Sequence, residues 1–282
     1  EQYGKNTDTP ELTVYYDDIV ASLSKVSESY GIGYPSSEFE SWEDGFESND
    51  FSAWNGTQTS NGWATITSTY VNEGSYSANF TADGTLNSYA RAMHLVQNTT
   101  EIYMRSYVRL EDLPDATDSR INILRIAQED GTWISIASVN RTAGNYYWQI
   151  RETGGASDTQ SDNIHADEWY GIELYFNATT NGNATLWING TKACDFSGDF
   201  SGVGNIARVY PYIYCGGNNP QGSAKTVFID NFRVDNVRIG AGTPRIFQVG
   251  AYYISEDESS PLEGVKINGT HLTDGSGYYE WT

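Results

Sequence analysis

Between residues 39 and 240 the chain is written in short segments of alternating apolar and polar residues, set apart by clusters of Gly, Asn, Asp and Ser. Residues 64–70 read ATITSTY, 89–96 YARAMHLV and 102–110 IYMRSYVRL; similar segments follow at 121–127, 132–139, 146–151, 170–177, 184–189, 208–214 and 226–239. A period of two marks a half-buried strand, and no stretch here keeps a convincing helical period. Ten or more short strands at this spacing predict an all-β fold, an antiparallel β-sandwich or a barrel. Tyr146, Trp148 and Ile150 alternate with Tyr147, Gln149 and Arg151, and Arg105, Tyr107 and Arg109 alternate with Ser106, Val108 and Leu110. One sheet face is therefore expected to be polar and aromatic.

The flanks read differently. Residues 1–38 form an extended N-terminal arm in which Leu12, Val14 and Tyr16 stand at strand spacing and Ile19, Leu23 and Val26 at helical spacing, before GIGYP at 31–35 breaks the chain. A linker, GAGTP at 240–244, opens the tail 241–282, where strands are expected at 246–254, 265–268 and 278–281. About forty residues are too few for an independent core. The expected organisation is an arm (1–38), a sandwich (39–240) and a partial β-module (241–282), and whether the native chain runs on past Thr282 is left open.

Composition narrows the partners. Of 282 residues 37 are acidic and 16 are Lys or Arg, a formal charge of −21, so the field around the protein repels nucleic acid and anionic membrane surfaces. Aromatic content of 14% argues for a packed chain, and no apolar run approaches the ~20 residues that span a bilayer. Asn-x-Thr triplets begin at Asn55, Asn79, Asn98, Asn140, Asn177, Asn183, Asn189 and Asn268, whereas 22 Asn and 26 Thr give about two by chance. The excess predicts an N-glycosylated protein, extracellular or on the cell surface. In that compartment the two cysteines, Cys194 and Cys215, are expected to form a disulfide; two buried free thiols are the alternative.

Three stretches together resemble the concanavalin-A-like lectin/glucanase superfamily and related carbohydrate-binding jelly rolls: WEDGFE at 42–47, EWYGIELYF at 168–176 with ATLWING at 184–190, and VFIDNFRV at 227–234. The resemblance implies a jelly roll of about 200 residues whose first and last strands lie side by side. It also implies a structural Ca²⁺ near those strands, with Asp44, Glu47 and Asp230 as oxygen ligands; Asp230 as a simple turn cap is the other reading. PLEGVKINGT at 261–270 with TDGSG at 273–277 resembles the opening of Ig-like or carboxypeptidase-regulatory-like β-modules, and stops where their later strands should follow.

Chemistry is sparse in the text. The Glu-x-Asp-x-x-Glu arrangement of a retaining sandwich glycosidase is absent, and Glu111-Asp112, Glu129-Asp130 and Asp167-Glu168 are adjacent pairs that point to opposite faces or sit in turns. A uronate-cleaving lyase needs Tyr or His as base and acid with Arg or Gln against the carboxylate; His94, Arg91, Arg105, Arg125, Gln149, Arg151, Tyr212 and Tyr214 are of those types. Sugar binding needs flat rings and planar polar groups, which Tyr107, Tyr147, Gln149, Arg151, Tyr210, Tyr212 and Tyr214 supply, although the same tyrosines serve equally as cross-strand packing.

The pattern as a whole predicts a non-enzymatic, secreted structural subunit of a filament, sheath or surface layer, with copies of itself as partners. Its arm strand, Leu12, Val14 and Tyr16, would complete the next copy's unfinished module by strand addition. A carbohydrate-binding or adhesin module with a polysaccharide partner is the alternative, and a polysaccharide lyase the third reading.

Overall fold

The structure is a computed structural model that describes residues 39–161 and 163–240, together with six short strands between 248 and 280. The chain divides into two compact units, Phe39–Gly242 and a second made of Glu1–Glu38 with Thr243–Thr282.

The larger unit is all-β: two antiparallel sheets in a jelly-roll sandwich, with one 3-10 turn among its described residues at Ser201–Val203. One sheet is built from β1 (Trp42–Asp44), β3 (Gly62–Thr67), β4 (Ser77–Ala82), β6 (Glu101–Leu110), β11 (Trp169–Asn177), β12 (Gly182–Ile188), β13 (Thr191–Gly198) and β15 (Lys225–Asp235). Its order is β13-β12-β11-β6-β15-β4-β3, with β1 also on β15, so the first strand pairs with the last. The other holds β2 (Gly56–Ser60), β5 (Tyr89–Thr99), β7 (Ser119–Ala127), β8 (Trp133–Thr142), β9 (Asn145–Glu152), β10 (Ser157–Ser161) and β14 (Ile206–Gly217), in the order β10-β9-β8-β7-β14-β5-β2.

Alternation assigns each strand's faces. Ile102, Met104, Val108 and Leu110 of β6 and Ile172, Leu174 and Phe176 of β11 meet Val209, Ile213 and Cys215 of β14 and Ile121 and Ile126 of β7 in one core. Each such side chain contributes roughly 1.5–3 kcal/mol on full burial, which is what clamps the sheets together. β7 departs from strict alternation: its pairing with β8 slips between Asn122 and Leu124, so Ile123 and Leu124 both enter the core. This bulge turns Arg120, Asn122 and Arg125 to the same outer face, where unbroken alternation would have set Arg125 against the other two. The β12–β13 connection is a tight turn with Asn189 at φ 49° and Gly190 at φ 80°, as a two-residue hairpin requires, and Asn189 Oδ1 accepts the Gly171 N–H at 2.8 Å.

The disulfide expectation is corrected: Cys194 and Cys215 are both free and buried. They sit on strands of different sheets with different neighbours, Cys194 Sγ near the Trp148 carbonyl at 3.5 Å and the Cys215 backbone paired to Ser88. Burial pushes the Cys194 thiol up to about 12 and raises that of Cys215, so both are unreactive at neutral pH.

In the tail β16 (Gln248–Gly250) pairs with β21 (Tyr278–Glu280), β17 (Tyr252–Ile254) with β18 (Ser259–Pro261) and β19 (Lys266–Ile267) with β20 (His271–Leu272). Three short ladders thus stand where three strands were expected. Leu12, Val14, Tyr16 and Asn268 lie outside the described residues. Among the described residues no helix is long and apolar enough to cross a membrane.

One buried carboxylate ties the first sheet to its neighbouring loop. Asp230 is fully buried; its Oδ2 accepts the N–H groups of Asn72 (2.9 Å) and Glu73 (3.1 Å), and its Oδ1 that of Asn231 (2.8 Å). Asp230→Ala strands three backbone donors and is expected to cost roughly 3 kcal/mol or more in urea unfolding, with Asp230→Asn recovering part of the loss.

Candidate functional site

The outer face of the seven-stranded sheet carries a constellation made by register alone. Tyr214 of β14 stands opposite Asn122 of β7, Asn122 opposite Ser138 of β8, and Ser138 opposite Gln149 of β9, giving one continuous polar row. In the row on one side Tyr210 faces Arg125, Arg125 faces Ile136, and Ile136 faces Arg151. On the other side Arg120 faces Asn140, which faces Tyr147. Arg91 of β5 lies opposite Tyr212 and accompanies Tyr89 on the same face. Four arginines therefore ring a patch of tyrosine, amide and hydroxyl groups.

Arg91 and Arg125 are held by rings and carbonyls, Arg151 lies over the Trp133 ring, and among the described residues none of the four is held by a carboxylate. Arg91 and Arg125 both lie over the Tyr210 ring, 4.8 and 5.0 Å from its centre. Arg91 also donates to Gln58 Oε1, and Arg125 to the Gly131 carbonyl. Among the described residues, every Lys or Arg side chain in an ion pair belongs to the eight-stranded sheet or to the chain leaving it: Arg109, Lys192, Lys225, Arg233 and Arg238. In a chain of net charge −21 this leaves a local positive field facing solvent.

Tyr212 is the centre of the patch. It is 2% exposed yet lies outside the hydrophobic core cluster. Burial pushes its phenol above the ordinary value, against the opposing pull of Arg125, the Asn122 amide and Arg120. Burial lowers Arg91 and Arg120, helped by the charges of Arg125 and Arg151 respectively. Around the phenol, Asn122 Oδ1, Ser138 Oγ, Gln149 Oε1 and the Nε atoms of Arg120 and Arg125 are buried without a protein hydrogen-bond partner. Native interiors leave few such groups without a protein, water or ligand partner, so these atoms are donors and acceptors open to a polar group above the sheet.

The seven residues expected to form a sugar face divide. Tyr147, Gln149, Arg151, Tyr210, Tyr212 and Tyr214 share the face just described, whereas Tyr107 is on β6 in the other sheet, beside Arg105. Of the lyase-type candidates, Arg91, Arg125, Gln149, Arg151, Tyr212 and Tyr214 come together and Arg105 does not. His94 turns inward and stacks on Trp42 with ring centres 3.7 Å apart, and burial lowers it to about 4, so it remains neutral. Arg120, Asn122, Ser138, Tyr89 and Gln58 complete the face without having been singled out in the sequence; SRINILRIA at 119–127 held the signal for Arg120 and Asn122 as alternating polar positions.

Asp44, Glu47 and Asp230 act as hydrogen-bond acceptors. Asp44 takes the Phe46 N–H at 2.8 Å and the Trp54 indole at 2.5 Å, Glu47 takes the N–H groups of Ser75 and Tyr76, and Asp230 those already described. Burial raises Asp44 and Asp230, and neighbouring carboxylates add to this. Among the described residues no three Asp, Glu, His or Cys side chains gather as a ligand set. A structural Ca²⁺ at Asp44, Glu47 and Asp230 stays what the resemblance implies.

No family model and no curated protein sequence matches this chain. Solved structures do. An endo-β-1,4-glucuronan lyase from the fungus Trichoderma reesei is similar with a TM-score of 0.54 at 12% identity, over 70% of this chain and 95% of that one. The cellulose-induced protein Cip1 is similar at 0.53 and 14% identity, over 71% and 100%, and the alginate lyase Aly36B at 0.52 and 15%, over 70% and 97%. At these identities the likeness is one of fold. It corrects two expectations, the structural filament subunit and the absence of enzymatic chemistry, because the same sandwich recurs in glucuronan and alginate lyases.

A hydroxyl kept unpartnered for a ligand contributes nothing to folding without one. Ser138→Ala is therefore expected to leave the melting temperature of the ligand-free protein unchanged or slightly raised; a loss above about 1 kcal/mol would show that the hydroxyl is bonded within the fold.

Proposed function

We propose that this chain is an extracellular carbohydrate-active enzyme, a lyase that cleaves an acidic, uronate-containing polysaccharide on the outer face of the seven-stranded sheet. One observation carries the reading: Arg91, Arg120, Arg125 and Arg151 surround a buried phenol, and among the described residues no carboxylate is paired to them. Unpaired guanidiniums are suited to planar anions held by two hydrogen bonds, and a uronate carboxylate is such an anion repeated along a polymer. Glucuronan and alginate lyases among the structures of similar fold support the choice of reaction.

The step is a β-elimination. A base removes the proton from C5 of the uronate, the C4–O4 bond breaks with its electron pair leaving on oxygen, a C4=C5 double bond forms, and O4 takes up a proton. Guanidinium and amide donors on the carboxylate stabilise the charge that develops at C5, which lowers the barrier more than it tightens the ground state. His94 faces the core, so the proton steps fall to tyrosine, and Tyr212 is assigned both: its phenolate takes the C5 proton, and the phenol returns it to O4 on the same side of the ring. The guanidiniums favour that phenolate, and burial opposes it.

The test is the ultraviolet absorbance of unsaturated ends released from glucuronan, alginate and pectate. Tyr212→Phe is expected to lower kcat roughly 10²–10⁴-fold. Because the base is a phenol whose burial raises its pKa, kcat/KM is expected to climb through the alkaline range, where the phenolate fraction grows, with no inflection in the histidine range. Saturable binding of these polymers without any unsaturated product would replace the lyase by a binding module.

A further inference from the structure

The outer face of the other sheet carries a different surface, aromatic instead of cationic. Tyr103 of β6, Tyr175 of β11 and Trp187 of β12 point away from the core on adjacent strands. Tyr103 and Tyr175 have ring centres 4.4 Å apart, Tyr103 and Trp187 are stacked at 6.3 Å, and Arg238 lies 4.5 Å from the centre of Trp187. The half-buried Tyr103 and Trp187, with Tyr175 buried between them, make a continuous aromatic platform across three strands, and partly exposed rings of this kind pack against the C–H faces of pyranose rings.

Two Asn-x-Thr triplets open onto this platform. Asn177 follows Tyr175 by two residues and so shares its face, and its Nδ2 donates to the Tyr175 hydroxyl at 3.3 Å. Its Oδ1 is buried without a protein donor. On β12, Asn183, Thr185 and Trp187 alternate on the same outer face, and the register that sets Tyr175 opposite Thr185 brings Asn183 to the Asn177 end. Asn79 of β4 and Asn189 in the β12–β13 turn also belong to this sheet, whereas Asn140 alone is placed among the arginine rows of the other.

We propose that Asn177 carries an N-linked glycan whose first sugars fold back onto Tyr103, Tyr175 and Trp187, so that this sheet face is covered by the protein's own carbohydrate. In the modification the amide nitrogen attacks the anomeric carbon of a phosphate-activated oligosaccharide. The C1–N bond forms, the phosphate leaves with the electron pair of the broken C1–O bond, and the nitrogen gives up one of its two protons. The N–H that remains still donates to Tyr175, which fixes the direction in which the sugar leaves, and the unpartnered Oδ1 remains as an acceptor for a donor on the sugar. The inference is independent of the lyase reading, since it concerns the opposite face and its test reads no activity.

The experiment uses the full chain secreted from a glycosylating host, with Thr179→Ala to remove the triplet while keeping Asn177 and its bond to Tyr175. Glycopeptide mapping should find Asn177 modified in the parent and bare in the variant. Hydroxyl-radical footprinting of Tyr103 and Trp187 should rise severalfold in the variant, and its melting temperature should fall by roughly 2–4 °C, the shift that follows the loss of one such contact in a domain of this size. Thr57→Ala, which removes the Asn55 triplet at the edge strand β2 of the other sheet, should change neither. Both proteins made in a host without glycosylation should be indistinguishable, which separates the sugar from any effect of the threonine itself. An unmodified Asn177 in the parent, or equal footprints of Tyr103 and Trp187 with and without its glycan, overturns the proposal.

Discussion

The site depends on the pleat of one strand. β14 is central in its sheet, paired on both sides, and its inward residues Val209, Ile213 and Cys215 are locked into the core shared with the opposite sheet. That burial leaves Tyr210, Tyr212 and Tyr214 no choice of direction, and a slip of one residue would bury three phenols and expose the apolar set. Pro211 lies between two of them on a central strand, where a missing N–H is tolerated because the pairing with β7 is irregular from Pro211 to Tyr214. The same neighbourhood contains the β7 bulge. Two local departures from regular pairing therefore aim Arg125 and Tyr212 toward one another's surroundings, and the rigidity comes from the core beneath them.

Charge explains why such a face is costly and why it is telling. On the eight-stranded sheet Arg109, Arg233 and Arg238 meet Asp167, Glu43, Asp235 and Glu173, so the excess of acidic residues is used to neutralise them. The same excess is withheld from Arg91, Arg120, Arg125 and Arg151, which are close enough for Arg125 to depress Arg91 and for Arg151 to depress Arg120. Like charges held together raise the energy of the folded state unless an anion joins them. Stacking on Tyr210 offsets part of this, and an anionic ligand offsets more.

The fold was legible because its signals are local. Alternating segments and Gly, Asn and Asp turns marked the strands, and the ATLWING hairpin ends in the Asn189-Gly190 turn that its spelling implied. The site was legible only in part, since membership of a face depends on sheet assignment and bulges, which are properties of pairing. Arg105 and Tyr107 alternate in sequence just as Gln149 and Arg151 do, yet β6 and β9 belong to different sheets. Arg120 and Arg125 differ in parity and reach one face only through the Ile123–Leu124 irregularity. His94 reads as a candidate catalyst until Trp42 is found stacked upon it. The cysteines point inward, as two half-buried strands would have them, but into separate parts of the core.

The two outer faces answer the question that composition raised. A protein this acidic would ordinarily be read as a solvated coat or scaffold, and the sandwich by itself is compatible with that. Buried amides and hydroxyls need partners from protein, water or ligand, because leaving them unpaired costs folding free energy. Here five polar atoms without a protein partner gather around Tyr212 on the outer face of the seven-stranded sheet; the eight-stranded sheet has such atoms too, at Asn177, Arg105, Arg109 and Arg233, but it pairs Arg109, Arg233 and Arg238 with carboxylates and ties down the chain that leaves it, with Glu173 accepting the N–H groups of Ile239 and Gly240. What separates the two faces is charge: cations matched by carboxylates on one, and among the described residues guanidiniums without a carboxylate on the other, which is the side that suits an anionic ligand.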